Sequence, residues 1–397
     1  MKNWKRLVAL LLALTMALSL CACKTTDQPT GGDPTDQPSE GAEPSLAPEP
    51  SADPEIEVDL TQDLLTFAAG VNAGDELLTI DGTAIPADLV LYWLFMNCEN
   101  FASYYGMFGF NMADYADILL GDTVSMCTYY TTLRQKAAEL GCLPTDAQIQ
   151  DAHDRMMAEG EEYYETLKTA YGLSDDSMEY IFTTESYYQN LLDAMVPAAT
   201  DEMLNNYIYQ ARHILLATVD TAGERIQQED GTYAYPPLDE ATIAEKKQLA
   251  EDILAQLQAA DDLDAKFNEL MNEYSEDTRG DDGALASPDG YTTPVGQMVP
   301  EFDQGALALK PGEISGIVES SYGYHIILRG EVADLESYAD DCRMYTLDQL
   351  LAPVLDGMTV SRSAALDALD LAEFHERYSA YCSAVVEQYE SGQEGVG

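Results

Sequence analysis

The middle of the chain contains two apolar runs with one histidine each, ARHILLA at residues 211–217 and YGYHII at residues 322–327. Their aliphatic and aromatic content predicts strands over 211–217 and 324–328. Between them the sequence predicts, in order, helices over 240–258 and 263–274, a glycine-rich loop over 279–296, a short helix from Pro300 and a strand over 314–318. The order β-α-α-α-β-β predicts an α+β domain over residues 205–331, a small antiparallel sheet wrapped by helices.

Five short segments of this region form a recognisable pattern: RHIL (212–215), EYSED (273–277), GQMVPEF (296–302), LKPGEIS (309–315) and YGYHII (322–327). In all five the region resembles the parvulin (rotamase) domain of peptidyl-prolyl cis-trans isomerases. Five segments in the same order are far more specific than a single short motif.

The resemblance implies a set of site residues. It places His213 and His325 at the paired histidines of the parvulin active site, on neighbouring central strands. Asp277 falls where some parvulins carry Cys and others Asp. Met298 and Phe302 would form the apolar floor that receives the proline ring of the substrate.

Two positions depart from the family pattern or leave it open. Tyr322 stands where parvulins carry either an aromatic residue or a small hydroxyl residue, and we expect it to contribute to substrate binding. The loop around Asp282 lacks the leucine that the family usually has there. Leu285 and Tyr291 are the two candidates to supply that wall of the pocket.

These residue types suit the isomerisation of an X–Pro bond. The barrier of roughly 20 kcal/mol comes from amide resonance, so twisting the bond requires neither a nucleophile nor a cofactor. An apolar slot for the ring and polar groups that favour the twisted amide are sufficient. Metal ligation by His213, Asp277 and His325 is the alternative for this cluster, but the sequence offers no further ligand. The Gly-x-Ser-x-Gly motif of serine hydrolases is absent.

The N-terminus has the pattern of an export signal. Basic residues precede a 14-residue apolar run, Leu7 to Leu20, which is too short to span a membrane as a helix. The run ends in LCAC (20–23), which resembles a bacterial lipoprotein box with Cys23 as the lipid-modified residue. Cys21 is the poorer candidate, because bulky Leu20 would precede the cleaved bond.

The predicted organisation has five parts: a signal peptide (1–22), a proline-rich disordered tether (23–55), an N-terminal helical region (56–204), the parvulin domain (205–331) and a C-terminal helical region (332–397). The two helical regions together are expected to form one chaperone-like domain. This layout resembles that of PrsA-like foldase lipoproteins of Gram-positive bacteria.

In the helical regions we expect a small hairpin around Asp81-Gly82 and helices over 87–106, 112–140, 145–170, 174–196, 333–351 and 368–390. Residues 92–110 are rich in aromatic side chains and methionine. Most of these belong in a core at helical spacing, and some could line an apolar groove for unfolded polypeptide.

Charge and cysteine content limit the remaining functions. With 19 basic and 71 acidic residues the formal net charge is −52, which excludes nucleic-acid binding. Without a Cys-x-x-Cys spacing, the cysteines after position 23 predict buried free thiols, although one pair could form a disulfide; they are Cys98, Cys127, Cys142, Cys342 and Cys382.

The sequence thus predicts an isomerase and foldase that is lipid-anchored on the extracytoplasmic face of the cell membrane. Its partners would be unfolded exported polypeptides with X–Pro segments. The alternative is a holdase chaperone whose parvulin domain is catalytically weak or inactive. A solute-binding lipoprotein is a third possibility, but it would require two α/β lobes. Client identity and oligomeric state stay open.

Overall fold

The structure, a computed structural model, describes residues 56–227, 233–278 and 283–394. The predicted signal peptide, Cys23 and the tether lie outside the described residues. Within the described ranges, no helix combines the length and the apolar character needed to cross a bilayer.

The described residues form two compact units. The helical unit consists of residues 56–197 and 347–394, and the sheet unit of residues 198–346. The chain is therefore α+β, with the sheet-containing segment inserted between two helical segments, as the sequence predicts.

The helices are α1 (Leu64–Ala69), α2 (Ala87–Tyr104), α3 (Ala116–Leu140), α4 (Asp146–Met156), α5 (Glu161–Ala170), α6 (Asp175–Met195), α7 (Asp201–Tyr207), α8 (Glu240–Gln258), α9 (Leu263–Tyr274), α10 (Pro300–Leu307), α11 (Ala339–Asp356), α12 (Ala364–Asp367) and α13 (Leu371–Glu394). Short 3₁₀ turns cover Gly106–Phe108, Met112–Tyr115 and Leu335–Tyr338. The strands are β1 (Leu78–Ile80), β2 (Thr83–Ile85), β3 (Ile208–Ala217), β4 (Ile226–Gln227), β5 (Tyr233–Ala234), β6 (Tyr291–Pro294), β7 (Val318–Glu319), β8 (Gly323–Gly330) and β9 (Val360–Arg362).

The core of the helical unit is built around α2, which buries 12 of its 18 residues, most of them aliphatic or aromatic. Phe95 of α2 stacks on Tyr378 of α13 with ring centroids 4.1 Å apart. The predicted hairpin is confirmed: β1 pairs with β2 across a turn in which Asp81 and Gly82 both have positive φ, and β9 pairs with the other edge of β1.

Helix boundaries in this unit follow capping signals. Thr145 and Ser174 accept hydrogen bonds from the main chain as N-caps of α4 and α6. The prediction of one helix over 145–170 is wrong, because Gly160 has φ of 102° and separates α4 from α5. The five cysteines after position 23 are free thiols, and all except Cys142 are buried.

The sheet unit contains an antiparallel sheet of four strands in the order β6-β3-β8-β7. Helices α8, α9 and α10 begin where the sequence predicts. The sequence pattern does not predict strand β6, which falls inside the expected glycine-rich loop. The strand predicted over 314–318 is wrong in extent, because Ile314 forms only an isolated bridge to Leu328 and pairing resumes at Val318.

The two faces of the sheet have different partners. Ile214, Leu216 and Ile326 pack with α8 and α9 in the larger core of the unit. Tyr209, Ala211 and Ile327 pack instead against Phe302 and Ala306 of α10. Because side chains alternate along a strand, residues 213 and 325 belong to the α10 face.

Candidate functional site

His213 and His325 lie side by side on the α10 face of the sheet. Their strands are antiparallel neighbours, with His213 opposite Ile327 and Leu215 opposite His325, so the two histidines are diagonal neighbours. Their Nδ1 atoms are 3.1 Å apart, and the two residues are 9% and 4% exposed. The structure thus brings together the two histidines that the family resemblance implied.

A chain of hydrogen bonds extends from both ends of this pair. Nε2 of His213 lies 3.0 Å from Oδ2 of Asp277, which follows α9. At the other end, Nε2 of His325 lies 2.7 Å from Oγ of Ser320, which also accepts the main-chain N–H of Tyr322. Ser320 is absent from the sequence-predicted site. It lies in the turn between β7 and β8, which brings it back to His325 only once the hairpin forms.

Burial determines the protonation state of His325 in this chain of hydrogen bonds. Burial and the neighbouring His213 lower the pKa of His325 to about 3, so this imidazole is neutral near pH 7 and carries one N–H. A consistent assignment has His213 Nε2–H donating to Asp277, His325 Nδ1–H donating to His213, and Ser320 donating to His325 Nε2. Every polar atom of the chain then has a partner, which fixes the orientation of both rings.

Asp277 is ionised even though it is largely buried. Burial raises its pKa, but the hydrogen bond from His213, the electrostatic interaction with His213 and the hydrogen bond from Tyr291 outweigh burial and lower the pKa to about 2. The hydroxyl of Tyr291 donates to Oδ2 of Asp277 at 2.7 Å. Burial, together with this contact, raises the pKa of Tyr291 to about 12.

Phe302 forms the floor beneath the histidines. It is 3% exposed, and its ring meets those of His213 and His325 nearly edge-on, with centroids 5.1 and 5.5 Å away. Met298 packs against the same small cluster and stays partly exposed. These two side chains therefore provide an apolar surface beside the hydrogen-bonded imidazoles.

A buried carboxylate holds the segment that carries Met298. Oδ1 of Asp303, in the first turn of α10, accepts the hydroxyl of Tyr209 at 2.5 Å, and Oδ2 accepts the main-chain N–H of Gly296 at 2.7 Å. Tyr209 and Asp303 are both buried, and their hydrogen bonds tie the loop before α10 to β3. Neither Tyr209 nor Asp303 belongs to the sequence-predicted site.

The structure separates the two candidates for the missing pocket wall. Leu285 packs with Ile214 and Leu216, on the opposite face of the sheet. Tyr291, at the start of β6, lies with its ring centroid 6.0 Å from that of His213. Gly290 permits this approach: its φ is +80°, and a Cβ there would lie 2.2 Å from the carbonyl oxygen of Ala211.

Tyr322 enters the site through its main chain. Its N–H donates to Ser320, whereas its ring contacts that of Tyr235, with centroids 6.2 Å apart. The structure therefore brings His213, Asp277, His325, Met298 and Phe302 together and places the Tyr322 ring beside Tyr235.

The geometry is unlike that of a metal centre. Both nitrogens of His213 face other side chains of the site, Nδ1 toward His325 and Nε2 toward Asp277. Among the residues that the structure describes, no group of three or more His, Cys, Asp or Glu side chains is arranged to hold a metal ion.

Comparison with known families identifies this unit. Residues 213–331 match the rotamase family model, described as a PPIC-type PPIase domain. The sheet unit contains a parvulin-type domain. The match begins at His213 and includes every candidate site residue of the parvulin domain described above.

The chain also matches other proteins over a stretch longer than this domain. It is 27% identical over 208 residues to "Foldase protein PrsA" of Staphylococcus aureus strain bovine RF122 / ET3-1, a match that covers 51% of this chain and 58% of the relative. The chain thus spans little more than half the length of the curated relatives it matches. Solved structures of PrsA from Bacillus cereus and Bacillus subtilis match with 18% and 20% identity and TM-scores of 0.33 and 0.21. These matches cover 78% and 72% of this chain and 99% and 86% of those chains.

Proposed function

We propose that the parvulin domain catalyses cis–trans isomerisation of X–Pro bonds, and that the whole chain acts as a foldase for exported polypeptides. One observation carries the proposal: His213 and His325 are hydrogen-bonded to each other, and both lie over the apolar ring of Phe302 on one face of the sheet. His213 is also hydrogen-bonded to Asp277. The similarity to PrsA foldases supports the wider role.

The mechanism is non-covalent. Phe302 and Met298 hold the proline ring by apolar contact, so that the preceding carbonyl can rotate relative to it. Rotation removes the conjugation of the amide, which leaves a free carbonyl and a more basic nitrogen at the transition state. Polar groups whose orientation is already fixed stabilise that state without reorganising, and the chain from Asp277 to His325 fixes the imidazoles in this way. No proton transfer or covalent bond to the enzyme is required.

The catalytic test compares the chain from residue 24 onward with its His213→Ala and Asp277→Ala variants in an isomerisation assay on a short proline peptide. We expect the unchanged chain to accelerate isomerisation and both variants to lose most of that rate. His153→Ala is the matched control, because His153 is exposed on a helix of the other unit. An unchanged chain without activity above background, but with suppression of client aggregation, would favour a holdase instead.

We further propose that Cys23 carries a lipid that anchors the chain to the extracytoplasmic face of the cell membrane. The basic start, the short apolar run and the LCAC motif of the sequence support this proposal. Cys23→Ser should move the protein from the membrane fraction to the soluble fraction in cells that secrete it. A membrane fraction unchanged by this substitution would contradict lipid attachment.

A further inference from the structure

The helical unit exposes a cluster of aromatic side chains at the end of α2. Tyr92, Trp93, Phe95 and Phe101 of that helix are at most 7% exposed. Beyond Phe101 the pattern reverses. Exposed fractions rise to between 47% and 66% in the aromatic tip, which we define as Tyr104, Tyr105, Phe108 and Phe110. Isolated exposed apolar residues are ordinary, but four adjacent aromatic rings mark an interaction surface.

The rings of the aromatic tip are ordered against one another. Tyr105 contacts Tyr104 and Phe110, with centroids 5.0 and 5.9 Å apart, and Tyr104 contacts Phe108 at 6.1 Å. Phe101 of the core packs on Tyr105 at 5.4 Å, which connects the tip to the buried part of α2. The surface is thus held ready for a partner, and binding would cost little side-chain entropy.

The chain segment that carries the aromatic tip has charge of one sign. Between Lys24 and Arg134 the sequence contains no Lys or Arg at all, whereas Asp114 and Asp117 follow the tip directly and are exposed. An aromatic face attracts a cation through its ring quadrupole, and nearby carboxylates add to that attraction. A second copy of this chain, with its net charge of −52, would be repelled, as would an anionic lipid surface.

We propose that the aromatic tip binds extended segments of unfolded polypeptide that carry Lys or Arg beside apolar residues. The proposal rests on the proposed foldase function only for its choice of a polypeptide as partner. The tip would contact such segments whether or not they contain proline, so it would select clients on grounds that the parvulin site does not use.

The test measures binding of a fluorescent, proline-free peptide of Lys, Arg and Leu by anisotropy, using the chain from residue 24 onward. A peptide with Glu in place of each basic residue is the charge control. The variant is Tyr104→Ser with Phe108→Ser, and the matched control is Leu140→Ser with Leu143→Ser, which removes two apolar side chains of comparable exposure (47% and 50%) from the same unit. Circular dichroism and thermal unfolding check that the variants are folded.

We expect the basic peptide to bind, the acidic peptide not to bind, and the tip variant to lose about tenfold in affinity while the control variant loses little. His213→Ala should leave this affinity unchanged, and the tip variant should isomerise a short proline peptide normally, so failure of either proposal is visible separately. Equal binding of both peptides, or equal losses in the two variants, would overturn the inference. The inference would also be overturned if sedimentation showed that the chain self-associates and that the tip variant abolishes this self-association. It would likewise be overturned if the tip variant lost binding to phosphatidylcholine vesicles but kept its binding to the peptide.

Discussion

The hydroxyl of Tyr291 gives the most quantitative test of the site, because it acts on Asp277 and touches nothing else that the mechanism uses. Tyr291→Phe removes a hydrogen bond of 2.7 Å to an ionised and largely buried carboxylate, together with the hydroxyl's hydrogen bond to Ser287. A hydrogen bond to a charged group contributes about 1.5–3 kcal/mol, and one pKa unit corresponds to about 1.4 kcal/mol. The pKa of Asp277, about 2 in the unchanged protein, should therefore rise by about one to two units.

The sign of the stability change follows from the same linkage. The carboxyl of Asp277 has a lowered pKa in the folded state, so its contribution is complete above the unfolded value of 3.8 and is lost as the pH falls toward 2. Tyr291→Phe should thus lower the free energy of unfolding at pH 7 by about 1.5–3 kcal/mol, and the difference should shrink below pH 4. For catalysis we expect a lower kcat with little change in KM, because Asp277 orients His213 and does not itself form the apolar slot.

Carbon-13 NMR titration of labelled aspartate measures the pKa, and urea unfolding at several pH values measures the stability. Tyr233→Phe is the matched control, since Tyr233 is in the same unit and 58% exposed. An unchanged Asp277 pKa, or an equal loss of stability in the control, would refute the role assigned to Tyr291.

Three further predictions concern the same face of the sheet. Because the pKa of His325 is lowered from 6.5 to about 3, the free energy of unfolding should be greatest above pH 6.5 and fall as the pH drops toward 3. His325→Gln should flatten this pH dependence, measured by urea unfolding. An unchanged slope of the free energy against pH would argue against a buried neutral imidazole. Gly290→Ala should lower the free energy of unfolding by at least about 2 kcal/mol in the same measurement, because the new Cβ would meet the Ala211 carbonyl. Gly283→Ala, with a similar φ but open space around it, should lower it by about 1 kcal/mol. Equal losses in the two variants would count against the close approach of β6. Phe302→Ala should lower the free energy of unfolding by about 3–5 kcal/mol through the cavity it leaves, and a loss below about 1 kcal/mol would show that the floor is not packed as described.

Much of the parvulin domain could be predicted from local sequence. Helices α8 and α9 occupy the predicted residues because their apolar spacing and the preceding Asp239 and Asp262 caps agree. The proximity of His213 and His325 was also predicted, because each occupies a matching motif that the family places on adjacent central strands.

What the sequence did not reveal depends on contacts between distant residues. Strand β6 has four residues, ends in Pro294 and pairs with β3 some 80 positions earlier, so it shows no alternating pattern of its own. Ser320 reaches His325 only through the hairpin of β7 and β8. The sequence offers both Tyr291 and Leu285 as candidates for the missing wall of the pocket. Only the structure decides between them, because Leu285 packs on the opposite face of the sheet.

The central claim, that this site catalyses rotation about X–Pro bonds, is tested most directly by exchange NMR at equilibrium on a labelled proline peptide with a small amount of the chain from residue 24 onward. A catalyst lowers the barrier in both directions, so the account predicts faster cis–trans exchange with unchanged cis and trans populations. It also predicts loss of that acceleration in His213→Ala. Exchange at the uncatalysed rate, or a shift in populations without faster exchange, would show that the site binds proline segments without isomerising them and would contradict the account.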